Sequence, residues 1–197
     1  MTLEKTIRAF LALDPPEEIL REIGRVQDRL KKLIQGDLRW VRPEGIHMTL
    51  KFFGDIREGD VANISAVAEK AAAAVAKFEL AIGGAGVFPD LNRPRVVWLG
   101  MDGDVARLMT FQRELERAFG EIGFPSEERP FRPHLTLGRI KSPKGLIGLA
   151  EALEKGKTVA AGRFTAAGLN LFQSSLTPRG AVYTRLAGYP FTGREGA

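Results

Sequence analysis

Apolar residues recur at intervals of three and four in three stretches of this chain and alternate with polar ones in much of the remainder. Ile19, Ile23, Val26, Leu30 and Leu33 make one helical stripe. Its predicted start is Asp14-Pro15-Pro16-Glu17: Asp14 can cap, Pro15 fits the first helical position, and Glu17 stands where a capping-box acid belongs. Gly36 ends it. Val61, Ile64, Val67, Ala71 and Val75 form a second stripe behind Asp60, and Val105, Leu108, Phe111, Leu115 and Phe119 a third behind Asp104. Strands are predicted over 6–13, 38–41, 46–54, 78–82, 95–99 and 134–140, with two late ones near 163–172 and 181–186 and a short helix near 146–153. Gly83-Gly84-Ala85-Gly86 reads as the turn that closes the 78–82 strand. Strands in neighbouring groups with helices between them predict an α+β fold with largely antiparallel sheets.

The arrangement is expected to form a single domain over 1–197, with a loose tail at 192–197. Composition agrees: of 197 residues, 44% are hydrophobic and 27% charged, which suits a globular chain able to bury a core. Glu4, Lys5, Arg8 and Asp14 interrupt the N-terminal segment, and no stretch nears the roughly 20 apolar residues of a membrane span, so neither a secretory leader nor an anchor is read and the cytoplasm is expected. Cysteine is absent, which removes disulfides, thiolate nucleophiles and Cys-ligated metals. The net charge of +5 is localised: window 39–51 holds three basic residues against one acidic, and window 127–144 five against two. Each window contains one of the two histidines, which points to an anionic partner.

Both histidines sit in the same four-residue frame, His47-Met48-Thr49-Leu50 and His134-Leu135-Thr136-Leu137. Residues two apart on a strand share a face, so each frame turns a histidine and a threonine one way and two apolar residues into the core. Two such strands side by side would line one cleft wall with two imidazoles and two hydroxyls. A lone histidine among apolar residues is ordinarily a packing residue. Two in identical frames, with none elsewhere, argue for a shared task. Imidazole titrates near 6.5, so one ring can be neutral and its partner charged at the same pH, giving a base for attacking water and an acid for a leaving oxygen. The hydroxyls of Thr49 and Thr136 can donate to non-bridging phosphate oxygens.

Other chemistries fit less well. The sequence has no His-x-x-x-His or carboxylate–His cluster for zinc, no Gly-x-Ser-x-Gly elbow and no Gly-x-x-x-x-Gly-Lys-Ser/Thr loop. No metal and no cofactor is expected.

A longer set of motifs carries a family resemblance. These are Arg8-Ala9-Phe10-Leu11-Ala12-Leu13-Asp14, Arg39-Trp40-Val41, His47 to Gly54, Gly86-Val87-Phe88-Pro89, Arg95-Val96-Val97-Trp98, Pro130 to Arg139, and Leu171-Phe172-Gln173-Ser174 with Leu176-Thr177-Pro178. In that order the chain resembles the two-histidine phosphoesterases, and among them the RNA 2′,3′-cyclic phosphodiesterases also called 2′-5′ RNA ligases. The resemblance implies a bilobal, pseudo-twofold fold of intertwined lobes, two sheets facing a central cleft with helices packed outside. It implies His47 as proton donor, His134 as proton acceptor, and hydrolysis of 2′,3′-cyclic RNA ends to 2′-phosphates. The reverse reaction would join such an end to a 5′-hydroxyl. Arg139 matches a family arginine that assists the phosphate, although strict alternation would turn it away from His134 and Thr136 unless Gly138 hosts a bulge. Arg132 and Lys51 are candidates to guide RNA backbone, and Phe10 and Phe172 either stack a base or belong to the buried core. The expected partner is RNA with a cyclic phosphate end, or a cyclic nucleotide, handled by a monomer. Two alternatives stay open: the same site acting on a small nucleotide metabolite, and an RNA-binding module without turnover.

Overall fold

A computed structural model describes residues 5–178 and 180–194. Within them the chain forms β1 (Thr6–Leu13), α1 (Glu17–Leu33), β2 (Leu38–Trp40), β3 (Met48–Arg57), α2 (Asp60–Ala73), β4 (Phe78–Phe88), β5 (Val96–Gly103), α3 (Val105–Glu121), β6 (His134–Ile140), α4 (Leu149–Gly156), β7 (Ala160–Ala166), β8 (Gly168–Thr177) and β9 (Gly180–Pro190). Two sheets result, one ordered β3-β1-β8-β9 and the other β2-β6-β5-β4-β7. Every strand pairing within them is antiparallel.

The helices cover the outer faces in a crossed pattern. Helix α1 leaves the first sheet with β1 but packs on β7 and α4 of the second, whereas α3 leaves the second sheet with β5 and packs on α2 and β3 of the first. The crossing follows from where the apolar stripes find cover. Ile19, Ile23, Val26 and Leu30 of α1, and Leu108, Phe111, Leu115 and Phe119 of α3, are all buried in one continuous core with Leu11, Met48, Leu99, Leu135 and Leu137. At about 1.5–3 kcal/mol per fully buried large side chain, these stripes are the dominant attachment of helix to sheet.

Several local expectations are corrected. Asp14 does not cap α1: the helix begins after Pro16 without a side-chain cap bond, and the Asp14 carboxylate instead accepts a hydrogen bond from Asn170 Nδ2 at 2.6 Å. Gly83-Gly84-Ala85-Gly86 is not a turn. It is the irregular middle of β4, where the pairing to β5 skips Gly84. At Gly86 an added Cβ would stand 2.1 Å from a ring carbon of Trp98, so glycine is what lets that indole lie across β4. The stretch 163–172 is two strands in different sheets, β7 and β8, broken between Ala166 and Gly168. In the expected loose tail, Gly193 donates its N–H to Val75 O at 3.0 Å, and 195–197 lie outside the described residues. Among the described residues no helix is long and apolar enough to cross a membrane.

Candidate active site

The two His-x-Thr-Leu frames fall on β3 and β6, which are not neighbours in one sheet but meet from the two sheets. The side-by-side arrangement imagined from the sequence is therefore replaced by two strands that meet from different sheets. His47 immediately precedes β3, and His134 opens β6. Each frame keeps its alternation: Met48 and Leu50, Leu135 and Leu137 are buried, while both histidines and both threonines are half-buried.

Each strand then breaks its alternation at the leucine. On β3, Ala12 of β1 faces Thr49 but Leu11 faces Lys51, so Leu50 is an extra, bulged residue. On β6, Trp98 of β5 faces Thr136 but Val97 faces Gly138, so Leu137 is the extra one. A bulge reverses the face presented by the residues beyond it. Arg139 lies opposite Val96, which shares a face with Trp98 and so with Thr136 and His134. The tension in the sequence is thus resolved, with the bulge one residue earlier than Gly138. On β3 the same device sends Phe52 to the face of Phe10 and Ala12, where its ring is 48% exposed.

Lys51 is corrected by the same bulge. It is 2% exposed, its Nζ 2.6 Å from Glu116 Oε2 of α3 and 2.6 Å from Pro125 O, on the helix side of the sheet. It cannot reach a ligand in the cleft. Phe10 is likewise not a free stacking surface: it is 2% exposed, with its ring 4.6 Å from the His47 ring in a stacked pair and 5.4 Å from Phe172. It supports the catalytic candidate from beneath. Arg132 is exposed, its guanidinium 5.9 Å from the Phe88 ring centre.

The histidines are held in matching ways. His134 Nδ1 lies 2.7 Å from the carbonyl oxygen of Arg132, two residues back. A carbonyl only accepts, so Nδ1 carries the proton and Nε2 keeps its lone pair. His47 is bonded to the carbonyl of Gly45, also two residues back. Around His47 stand Phe10, Phe172 and the edge of Tyr183 at 4.9 Å; around His134 stands the edge of Phe88, also at 4.9 Å. Burial pushes His47 down from the usual 6.5 to about 4, opposed by the Gly45 carbonyl and assisted by the positive charge of Arg139. Burial lowers His134 as well, opposed by the Arg132 carbonyl and again assisted by Arg139. One guanidinium therefore acts on both rings.

Sequence reasoning did not name Tyr183 and Phe88 as neighbours of the histidine rings, nor Phe52 as a neighbour of Phe10. Tyr183 has no local pattern to connect it with either frame, Phe88 stands in a resemblance motif that assigns it no role, and Phe52 was hidden by assuming unbroken alternation. Among the described residues no three His, Asp or Glu side chains converge as a metal site would need.

Comparison with known proteins sets this geometry in a family. The LigT-like phosphoesterase profile matches the chain twice, over residues 13–98 and 99–183. The RNA 2′,3′-cyclic phosphodiesterase of Methanothermobacter thermautotrophicus is 40% identical over 178 residues, covering 90% of this chain and 95% of that protein. The protein of the same name from Aquifex aeolicus is 33% identical over 181 residues, covering 91% and 95%. Among solved structures, TT0787 of Thermus thermophilus superposes with a TM-score of 0.81 at 26% identity over 96% of this chain and all of that one. E. coli LigT complexed with 3′-AMP gives 0.74 at 25% identity, covering 95% and 99%.

Proposed function

The chain belongs to the LigT-like phosphoesterase family, and from that premise we propose that it is an RNA 2′,3′-cyclic phosphodiesterase, as its relatives are named, and that it opens the cyclic phosphate at RNA 3′ ends to a 2′-phosphate. The observation that carries the reading is the pair of carbonyl-anchored imidazoles, each followed by a threonine, sharing one arginine across a cleft. His134 Nε2 takes a proton from water as the water oxygen bonds to phosphorus. The bond from phosphorus to the 3′ oxygen breaks, and His47 delivers its proton to that oxygen. Thr49 and Thr136 donate to the non-bridging oxygens, and Arg139 offsets the charge that gathers there. No step requires a metal. Run backwards with a 5′-hydroxyl in place of water, the same atoms give a 2′-5′ bond. One chain supplies every group named, which supports a single domain over 1–197 acting as a monomer; with RNA ends as substrate, we place it in the cytoplasm.

Incubation with 2′,3′-cyclic AMP and a chelator is expected to yield 2′-AMP at an undiminished rate, read by phosphorus NMR. A 3′-AMP product would reverse the roles of the two histidines, chelator-sensitive turnover would overturn the metal-free mechanism, and no turnover at all would leave an RNA-binding module.

The pH dependence follows from the lowered histidines. Turnover needs one charged ring and one neutral, and in the free protein both rings lose their protons below 6.5. The productive fraction therefore falls as pH rises above 6.5, and kcat/KM should peak on the acid side of that value. A bound phosphodiester anion favours the imidazolium, so the alkaline limb of kcat should lie at higher pH than that of kcat/KM. Coincident limbs for kcat and kcat/KM, both above pH 7, would contradict this assignment.

A further inference from the structure

Three polar residues are buried in this chain: Lys51, Gln27 and Gln112, among those described. Lys51 has a charged partner. The glutamines have something more specific. Gln27, on α1, directs its Nε2 to Leu137 O at 2.9 Å and to Val41 O at 2.7 Å. Gln112, on α3, directs its Nε2 to Leu50 O at 3.3 Å and to Glu116 Oε1 at 3.1 Å. Leu137 and Leu50 are the two bulged residues that end the His-x-Thr-Leu frames.

A bulge disturbs the ladder locally; the Leu137 carbonyl keeps one backbone partner, accepting the N–H of Val41 at 2.8 Å, and has a second lone pair free for a side-chain donor. The crossed helices supply one in each lobe: α1 reaches the histidine strand of the second sheet, α3 that of the first. Gln27 fills the role at a cost, because its Oε1 is buried without a hydrogen-bond partner among the described residues. A methionine of similar length would pack there with no such orphan. The amide is therefore best explained by its two donors, which tie Val41, the residue after β2, and the Leu137 bulge together.

We propose that Gln27 is a positioning residue of the cleft: by holding the carbonyl of Leu137 it fixes the bulge that turns Arg139 onto the face of His134 and Thr136. Without that hold, β6 can pair with β5 in unbroken alternation, which places Gly138 on the cleft face and Arg139 on the opposite one. The inference rests on the proposed function only in taking the cleft to receive a phosphate group.

The chain has two histidines, so each ring gives one Cε1–H signal to follow by NMR against pH, and inorganic phosphate serves as the binding probe. Arg139→Gln should raise both titrations toward 6.5 and weaken phosphate binding by about 10- to 100-fold, the value of a charge-assisted hydrogen bond. Gln27→Met should move both titrations and the phosphate affinity in the same direction. In the double variant the change should be no greater than in Arg139→Gln alone, because both substitutions remove one effect. Gln27→Asn, which keeps the amide but is too short to span both carbonyls, reads the same way where the methionine variant does not fold. Wild-type titrations and affinity in the Gln27 variants, or an undiminished effect of Gln27→Met in the Arg139→Gln background, would overturn the proposal. Turnover is not the readout: a protein that shows the coupled shifts yet never opens a cyclic phosphate keeps the inference and loses the reaction.

Discussion

Alanine at either His47 or His134 is expected to lower turnover of 2′,3′-cyclic AMP by roughly 10²- to 10⁴-fold, the range of a positioned acid or base. The two losses should not multiply. Once one imidazole is gone the concerted transfer is already broken, and the double variant should sit near the weaker single one. The two substitutions differ in structural consequence. His134 stands against the edge of Phe88 and is anchored through Arg132 O, so its removal disturbs little packing. His47 is stacked on Phe10 and flanked by Tyr183, so its removal opens space above a buried ring. Melting curves for both variants separate this loss of packing from loss of chemistry. Activity within a few-fold of wild type in both single variants would end the acid–base reading.

The second large effect concerns stability. Lys51→Met should destabilise the fold by about 3–5 kcal/mol, as expected when one partner of a buried ion pair is removed and the other is left behind. Glu116 would lose the ammonium 2.6 Å from Oε2 and keep Gln112 as its hydrogen-bond donor. Pro125 O, where the loop leading toward β6 begins, would lose its donor too. The companion variant Lys51→Met with Glu116→Leu should recover most of the loss, because two well-packed apolar groups replace a pair whose desolvation offsets much of its attraction. Urea denaturation of the two variants reports this directly, through the midpoint at unchanged slope. Specific activity of the folded fraction should stay near wild type, since Lys51 points away from the cleft. An activity loss without a stability loss would return Lys51 to the binding surface.

The tests divide along a line already visible in the chain. Both His-x-Thr-Leu frames, the helical stripes and the span of β6 were legible in the sequence, because periods of two and of three to four are written locally in apolar spacing. The same frame around both histidines marked them as candidates for one site, and the proposed function builds on that expectation. Capping at Asp14 and the glycine turn at 83–86 misled for a related reason. Each is a local preference that the tertiary structure overrode, with Asn170 claiming the carboxylate and Trp98 the space above Gly86.

What only the folded chain decided is the face each residue shows after the two leucines. Alternation is a property of an unbroken strand, and one inserted residue inverts everything beyond it. At both insertions a helix distant in sequence adds a side-chain donor to the bulged carbonyl, Gln27 to Leu137 O beside the N–H of Val41, and Gln112 to Leu50 O. Sequence alone thus determined that each histidine lies two residues from a threonine on the half-buried face of its frame. Only the tertiary structure decided that Arg139 shares a face with His134 and Thr136 and that Lys51 is buried against Glu116 of α3, because a bulge, unlike alternation, is a matter of pairing between strands and not of spacing along the chain.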